Sequence, residues 1–322
     1  MKYIPLVLLL ILFGCGEKKE KPTVSVAVEV PKFNADSAYA FVKKQVDFGP
    51  RVPNTEAHRK TAAYLEQKLK SYGAQVVTQS FTQKTFDGVN VNLKNIIASF
   101  NPGKQKRILL VAHWDTRPFA DKDSVKRDAP LDGANDGGSG VGILLEIARH
   151  LQSDTTRAGV DIVLFDGEDW GEKENQPRIK PADGLEAWWC LGSQYWSRNR
   201  HKPGYRAYYG IDLDMVGATD ARFFREGTST EYAPRIVDKV WQAAARLGYS
   251  DVFISESSQA MIDDHLFVNT KAQIPMADII DYNDRTGFGS YHHTTKDNMS
   301  VIDKRMLEIV GKTVMYVVYQ EE

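Results

Sequence analysis

Cysteine is nearly absent from this chain of 322 residues: only Cys15 and Cys190 occur. One thiol beyond the N-terminal segment excludes an internal disulfide, so stability has to come from a packed core. Cys190 stands in the apolar run Trp188-Trp189-Cys190-Leu191, which reads as a buried, inert thiol, and no cysteine chemistry is expected. An excess of either charge is also missing. Lys plus Arg is 41 against 42 Asp plus Glu, a net charge of -1. That balance gives no electrostatic reason to expect nucleic acid as a partner. No internal repeat, low-complexity tract or Pro/Ser-rich linker divides the chain. With 42% apolar and 26% charged residues, it has the composition of an enzyme-sized globular protein.

A long hydrophobic run is lacking too. The longest, residues 4–13 after Lys2, falls well short of the roughly 20 residues that cross a bilayer as a helix. It has the length of a signal-peptide core. It ends in Leu12-Phe13-Gly14-Cys15, which resembles the lipobox of bacterial lipoproteins, where the Cys becomes the lipidated first residue. Glu17-Lys18-Lys19-Glu20-Lys21 then leaves the surface as a polar tether. The expected organisation is a signal peptide over 1–15, a flexible tether over 16–33 and one catalytic domain over 34–322. The chain is expected to be exported, held by lipid on Cys15 at a bacterial membrane facing the periplasm or cell exterior, and monomeric.

What is present is an alternation of helical and strand patterns. Helical spacing runs through 36–46, 55–72, 138–151, 233–247 and 301–319. Residues 95–100, 107–112, 160–165, 205–213 and 274–280 read as strands, the last taken as a final central strand. This predicts a single-domain α/β/α sandwich: a mixed, mostly parallel central sheet with helices on both faces. In such folds sites form beyond the carboxyl ends of the strands.

Those ends carry the chemistry-bearing residues. They are His113-Trp114-Asp115, then Asp136 in Gly133-Ala134-Asn135-Asp136-Gly137-Gly138, Glu168-Asp169, Asp214 and the late pair His292-His293. Taken singly each has an ordinary explanation. An Asp before a helix is usually an N-cap, a lone His a structural residue, and adjacent acids solvated loop. Imidazole and carboxylates converging on one rim are instead the ligands of Zn²⁺, and a spare acid such as Glu168 is a general base.

In this order the residues resemble the co-catalytic zinc aminopeptidase family, whose motifs match at His113 and Asp115, Asp136, Glu168 and Asp169, Asp214, and His293. Finer details are similar to its glutaminyl-peptide cyclotransferase branch: His113-Trp114-Asp115-Thr116-Arg117, Phe165-Asp166-Gly167-Glu168-Asp169, Asp263-Asp264-His265 with Phe267, and His293-Thr294-Thr295-Lys296-Asp297-Asn298. The resemblance implies an α/β exopeptidase fold and one zinc held by Asp136, Asp169 and His293. It implies Glu168 as proton shuttle and Asp214 and Asp263 in a carboxyl network around it. The implied substrate is the N-terminal glutamine of a peptide or protein. Trp170 and Phe288 are the candidate aromatic walls of its pocket, and His292 stands where animal enzymes often carry Trp. Asp169 is one methylene shorter than the Glu of the family's Glu-Glu pair. The segment 172–184 reads as an insertion near the site.

Two other readings stay open. A dizinc aminopeptidase would use His113, Asp136, Asp169, Asp214 and His293 around two metals, with Glu168 activating water. A non-catalytic binding lipoprotein would have lost its base or a ligand, and here all are intact.

Overall fold

The computed structural model describes residues 29–153, 156–173, 176–182 and 184–321; the signal segment, Cys15 and tether residues 16–28 lie outside them. In chain order the helices and strands are α1 (Ala35–Val46), α2 (Glu56–Ser71), β1 (Gln75–Lys84), β2 (Asn90–Phe100), β3 (Arg107–His113), α3 (Gly138–Leu151) and β4 (Gly159–Phe165). They continue with α4 (Leu191–Arg198), β5 (Tyr209–Asp214), β6 (Phe223–Arg225), α5 (Gly227–Tyr232), α6 (Pro234–Arg246), β7 (Phe253–Ser257) and α7 (Asp264–Phe267). The last are β8 (Met276–Ile280), β9 (Tyr282–Asn283), β10 (Gly287–Phe288) and α8 (Lys304–Tyr319). No helix among the described residues is long and apolar enough to cross a membrane.

Six strands form the main sheet in the order β1-β2-β4-β3-β5-β8. β4, β3, β5 and β8 run parallel, while β1 and β2 are antiparallel additions at one side. Side chains alternate across a strand, and the sequence fills both faces. Ile108, Leu110, Ile162, Leu164, Ile211 and Leu213 point into one cluster with α1, α2, α3, α6 and α8. Leu109, Val111, Val163 and Phe165 point the other way, under Trp196 of α4 and Val268 after α7. Both faces are therefore covered, which is why these strands read as unbroken apolar runs.

Three expectations shift. β8 is an edge strand of the main sheet rather than a central one; the free edge is capped where the Asp278 N–H donates to Ser229 Oγ of α5 at 2.9 Å. β5 begins at Tyr209 rather than at 205, because Tyr205 packs under α4 and donates its hydroxyl to Asp161 at 2.8 Å. α8 begins at Lys304, with Asp303 accepting the Arg305 N–H. The ring of Phe33 is buried against Gly311 of α8, and Val30 before it packs against the same core.

One buried pair ties α2 to the segment that follows β4. His58 Nε2 lies 3.0 and 2.9 Å from the Asp166 oxygens, and its ring stacks on Trp114 at 4.4 Å. The Lys94 N–H donates to the same carboxylate at 2.6 Å. Removing one partner of such a pair strands a buried charge at a cost of about 3–5 kcal/mol. His58→Ala is expected to lower unfolding free energy by that amount in a denaturant titration; a loss under about 1 kcal/mol would mean that the pair is dispensable.

Candidate metal centre and active site

β3, β4 and β5 end side by side, and their next residues share one rim with the N-terminus of α3. Asp136 sits at the middle. Its Oδ1 lies 3.0 Å from His113 Nε2 and its Oδ2 lies 4.0 Å from His293 Nε2. On the His293 side, Asp169 Oδ1 is 3.3 Å from the same Nε2. On the His113 side, Asp214 Oδ1 is 3.2 Å away. All five residues are buried. Asp136 is thus no N-cap: α3 starts at Gly138 without a side-chain cap, and the carboxylate turns to the imidazoles.

The Asp136–Gly137 peptide is cis. A Cβ on Gly137 would sit 2.3 Å from the His113 carbonyl oxygen and 2.6 Å from its ring. Gly137→Ala therefore has to displace either His113 or Asp136, and the expected result is a purified protein with reduced metal content by elemental analysis. Full metal occupancy in that variant would contradict this packing. His293 and Met215 hold left-handed backbone at φ 55° and 49°, a strain that surrounding structure must enforce.

The supports of these side chains come largely from residues to which the sequence assigned no such role. Asp115 accepts the N–H groups of Glu168 and Asp169 at 3.0 and 3.2 Å. Asp297 accepts those of Asn135 and Asp136 at 2.8 and 3.1 Å. Arg117 grips both Asp121 oxygens at 2.8 and 2.9 Å and donates to the Asp169 carbonyl at 3.1 Å. Asp121 in turn faces His293 Nδ1 at 3.8 Å. Carboxylates behind an imidazole orient metal ligands in this way.

Beside the cluster lies a cavity of about 390 Å³, lined by Glu168, Asp214, Asp263, Trp189, Phe288 and His292 among others. Phe288 and His292 line it, and Trp170 does not. Its ring packs with Val52, Val91, Leu93 and Leu191, and its indole N–H donates to Asp87 at 3.4 Å. Trp189 takes that wall instead, stacked parallel to His293 at 5.8 Å. The only sequence signal for it was the Trp-Trp pair. Of the inserted segment, Arg178 reaches the cavity rim.

His292 stacks on His293 at 3.7 Å and lies tilted against Phe288 at 4.1 Å, and Lys122 Nζ donates to its Nδ1 at 2.8 Å. An ammonium has only donors, so Nδ1 accepts and Nε2 carries the proton. Burial, with His293, Lys122 and Arg117 nearby, pushes its pKa well below the usual histidine value. One ligand atom of His292 lies within 4.8 Å of one each from Asp136 and His293, while the Nδ1 lone pair of the ring is engaged by Lys122. The neutral ring suits a pocket wall with one N–H to offer.

Glu168 touches no imidazole among the described residues. Cys190 Sγ donates to its Oε1 at 3.2 Å. Burial, then the neighbouring Asp263 and Asp169 charges against the opposing pull of His113, raises its pKa well above the ordinary value. Burial likewise raises Asp263, and it lifts Asp214 to about 7. A bound dication opposes these rises. The donor types present fit zinc: the carboxylates of Asp169 and Asp136 face His293 Nε2 at 3.3 and 4.0 Å, with a further acid, Glu168, alongside.

A profile of peptidase family M28 matches residues 95–318. The chain belongs to peptidase family M28. Its zinc-exopeptidase fold is shared with a crystal structure of Bacteroides thetaiotaomicron glutaminyl cyclase bound to N-acetylhistamine. The two are 49% identical over 91% of this chain and all of that one, with a TM-score of 0.88. A structure from Bacteroides thetaiotaomicron described as a leucine aminopeptidase precursor matches with 48% identity over 92% of this chain and all of that one, TM-score 0.87. Among curated relatives, the glutaminyl-peptide cyclotransferase of Drosophila melanogaster is 25% identical over 79% of this chain and 72% of its own length. M28 enzymes are zinc-dependent, which agrees with the donor set at the strand ends.

Proposed function

We propose that this M28 member is a glutaminyl-peptide cyclotransferase, closing the N-terminal glutamine of peptides or proteins to pyroglutamate with release of ammonia. One observation carries the reading: Glu168 lines the same cavity as Asp136 and His293, together with the aromatic side chains of Trp189 and Phe288. The 49% identity to a glutaminyl cyclase over that whole chain supports it.

In this proposal Asp136, Asp169 and His293 hold a single zinc, which when bound acts as a Lewis acid on the glutamine γ-carbonyl. The remaining work belongs to the protein. Nucleophile and electrophile are on one residue, so much of the ~7–11 kcal/mol available from positioning already resides in the substrate. Trp189, Phe288 and His292 confine the side chain so that the α-amine faces the carbonyl carbon of the γ-carboxamide. Glu168 takes a proton from that nitrogen as the new C–N bond forms. It returns the proton to the γ-nitrogen as the old C–N bond breaks and ammonia leaves. A carboxylate with a raised pKa suits a group that must accept and donate in turn. Asp263 and Asp214 hold negative charge, or a shared proton, close behind it. The test is ammonia release: one ammonia per Gln-initiated peptide is expected, with a product lacking a free N-terminal amine.

A second reading rests on a specific cluster: one ligand atom each from His113, Asp136 and Asp214 lies within 4.8 Å of the others. With a second metal there the same rim would suit an aminopeptidase. Zinc titration separates the two, because the cyclase saturates at one equivalent and the hydrolase requires two.

The export reading is also a proposal, supported by the apolar segment 4–13 and the Cys that ends it. Cys15→Ser is expected to abolish incorporation of labelled fatty acid and to release the protein from the membrane fraction. Unchanged membrane association would contradict it.

A further inference from the structure

We propose that Cys190, Glu168 and Asp263 form a second metal site, taken by a soft divalent ion such as Zn²⁺ or Cd²⁺ in excess of the catalytic one, and that filling it switches the enzyme off. The inhibitory part rests on the reading of Glu168 as proton shuttle; the site itself does not.

One ligand atom from each of the three residues lies within 4.8 Å of the other two, and Cys190 Sγ is 3.2 Å from Glu168 Oε1. Zinc–sulfur bonds of about 2.3 Å and zinc–oxygen bonds of about 2.0–2.2 Å put neighbouring ligands of one ion roughly 3.5 Å apart. Small side-chain rotations therefore close the three onto a common centre. Two carboxylates and a thiolate are the donor set that zinc and cadmium prefer over magnesium or calcium.

A second, independent feature points to a missing ligand. Asp263 is 4% exposed, yet its Oδ2 has no hydrogen-bond partner among the described residues. Its Oδ1 is used by the N–H of Asp264 at the start of α7. A buried, unsatisfied carboxylate oxygen is costly, and an ion beside it removes the cost. Access exists because Glu168 and Asp263 both line the cavity.

The thiol is held in place by backbone. Cys190 has φ 57°, and its N–H donates to the Glu168 carbonyl at 3.0 Å, while the Leu191 N–H donates to Gly167 at 2.9 Å. The residue that carries the sulfur is thus tied to the residue it would share an ion with. None of the three belongs to the Asp136–Asp169–His293 cluster, so both sites can be filled together. On binding, the Cys190 S–H bond breaks as the S–metal bond forms, and the proton leaves to solvent. Glu168, now a ligand, can no longer accept a proton from the substrate amine.

The test uses zinc-loaded protein carrying Cys15→Ser, so that Cys190 is the sole thiol, titrated with Cd²⁺ while retained zinc is monitored. Expected is one bound cadmium beyond the catalytic zinc, with a sulfur-to-cadmium charge-transfer band that saturates at one equivalent. Activity should fall in step with the band. Cys190→Ser should lack the band. Asp263→Asn, which keeps the thiol, should weaken binding by more than the roughly 10–100-fold that loss of an outer partner costs. Absence of the band, or a band indifferent to Asp263→Asn, would overturn the site and leave the thiol as a hydrogen-bond donor to Glu168. A full band with undiminished activity would overturn the inhibition and the proton-shuttle role of Glu168, not the site.

Discussion

Glu168→Gln is expected to leave a folded, metal-loaded protein whose turnover of a Gln-initiated peptide is lower by about 10²–10⁴-fold, or roughly 3–5 kcal/mol in the barrier. The amide keeps the size of the side chain and can still receive the Cys190 thiol at its oxygen. It cannot take a proton from the attacking amine. Because Glu168 lies outside the Asp136–Asp169–His293 cluster, metal content should stay near one equivalent and KM should change little. A variant that loses its metal would mean that Glu168 is a ligand. A variant within about threefold of the parent would remove it from the chemistry.

The second large effect is metal removal. Dialysis against a chelator is expected to abolish cyclisation, and one equivalent of zinc to restore it. The same loss should follow from His293→Ala without any chelator. Stability should move as well, since Asp136, Asp169 and Asp214 are buried together with few cations among them. An ion at about a thousand times its Kd adds about 4 kcal/mol to the folded state, roughly 6 °C in Tm for a chain of this size. Acid should act in the same direction as the chelator. Burial, with Asp136 beside it, raises the Asp169 pKa above the ordinary carboxylate value against the opposing pull of His293, so protons compete for that oxygen at a higher pH than for an exposed Asp. Metal retention should therefore decline as pH falls and be complete on the alkaline side. Full activity in the demetallated protein would contradict the account.

The strands that carry the site were legible because both of their faces are buried. β3 and β4 are continuous apolar runs apart from Arg107 and His113 at the ends of β3 and the buried Asp161 in β4, and the ligand-type residues lie at their carboxyl ends. β1 was not legible for the opposite reason. Gln75–Lys84 pairs with β2 along an outer edge, never becomes fully buried, and its sequence QVVTQSFTQK has no continuous apolar run. α4 was hidden behind the aromatic run that precedes it. Within the site, the side chains that touch one another from separate motifs could be guessed from residue type. Those that work by accepting backbone N–H groups could not. Asp115 serves residues 168 and 169, and Asp297 serves residues 135 and 136, connections that leave no local signature. Trp170 and Trp189 show the same limit. Both are Trp near the site in sequence, but Gly171 lets the Trp189 ring lie over the chain where a Cβ would stand only 1.9 Å away. That close approach decides which indole reaches the cavity, and nothing in the spacing of the two residues reveals it.

The central claim is tested most directly by giving the zinc-loaded protein an equimolar mixture of a Gln-initiated and a Leu-initiated peptide and following both by mass. The account predicts that the Gln peptide alone changes, by loss of one ammonia, and that Glu168→Gln stops it. Release of a free N-terminal residue from either peptide would contradict it and would make this member of family M28 an aminopeptidase.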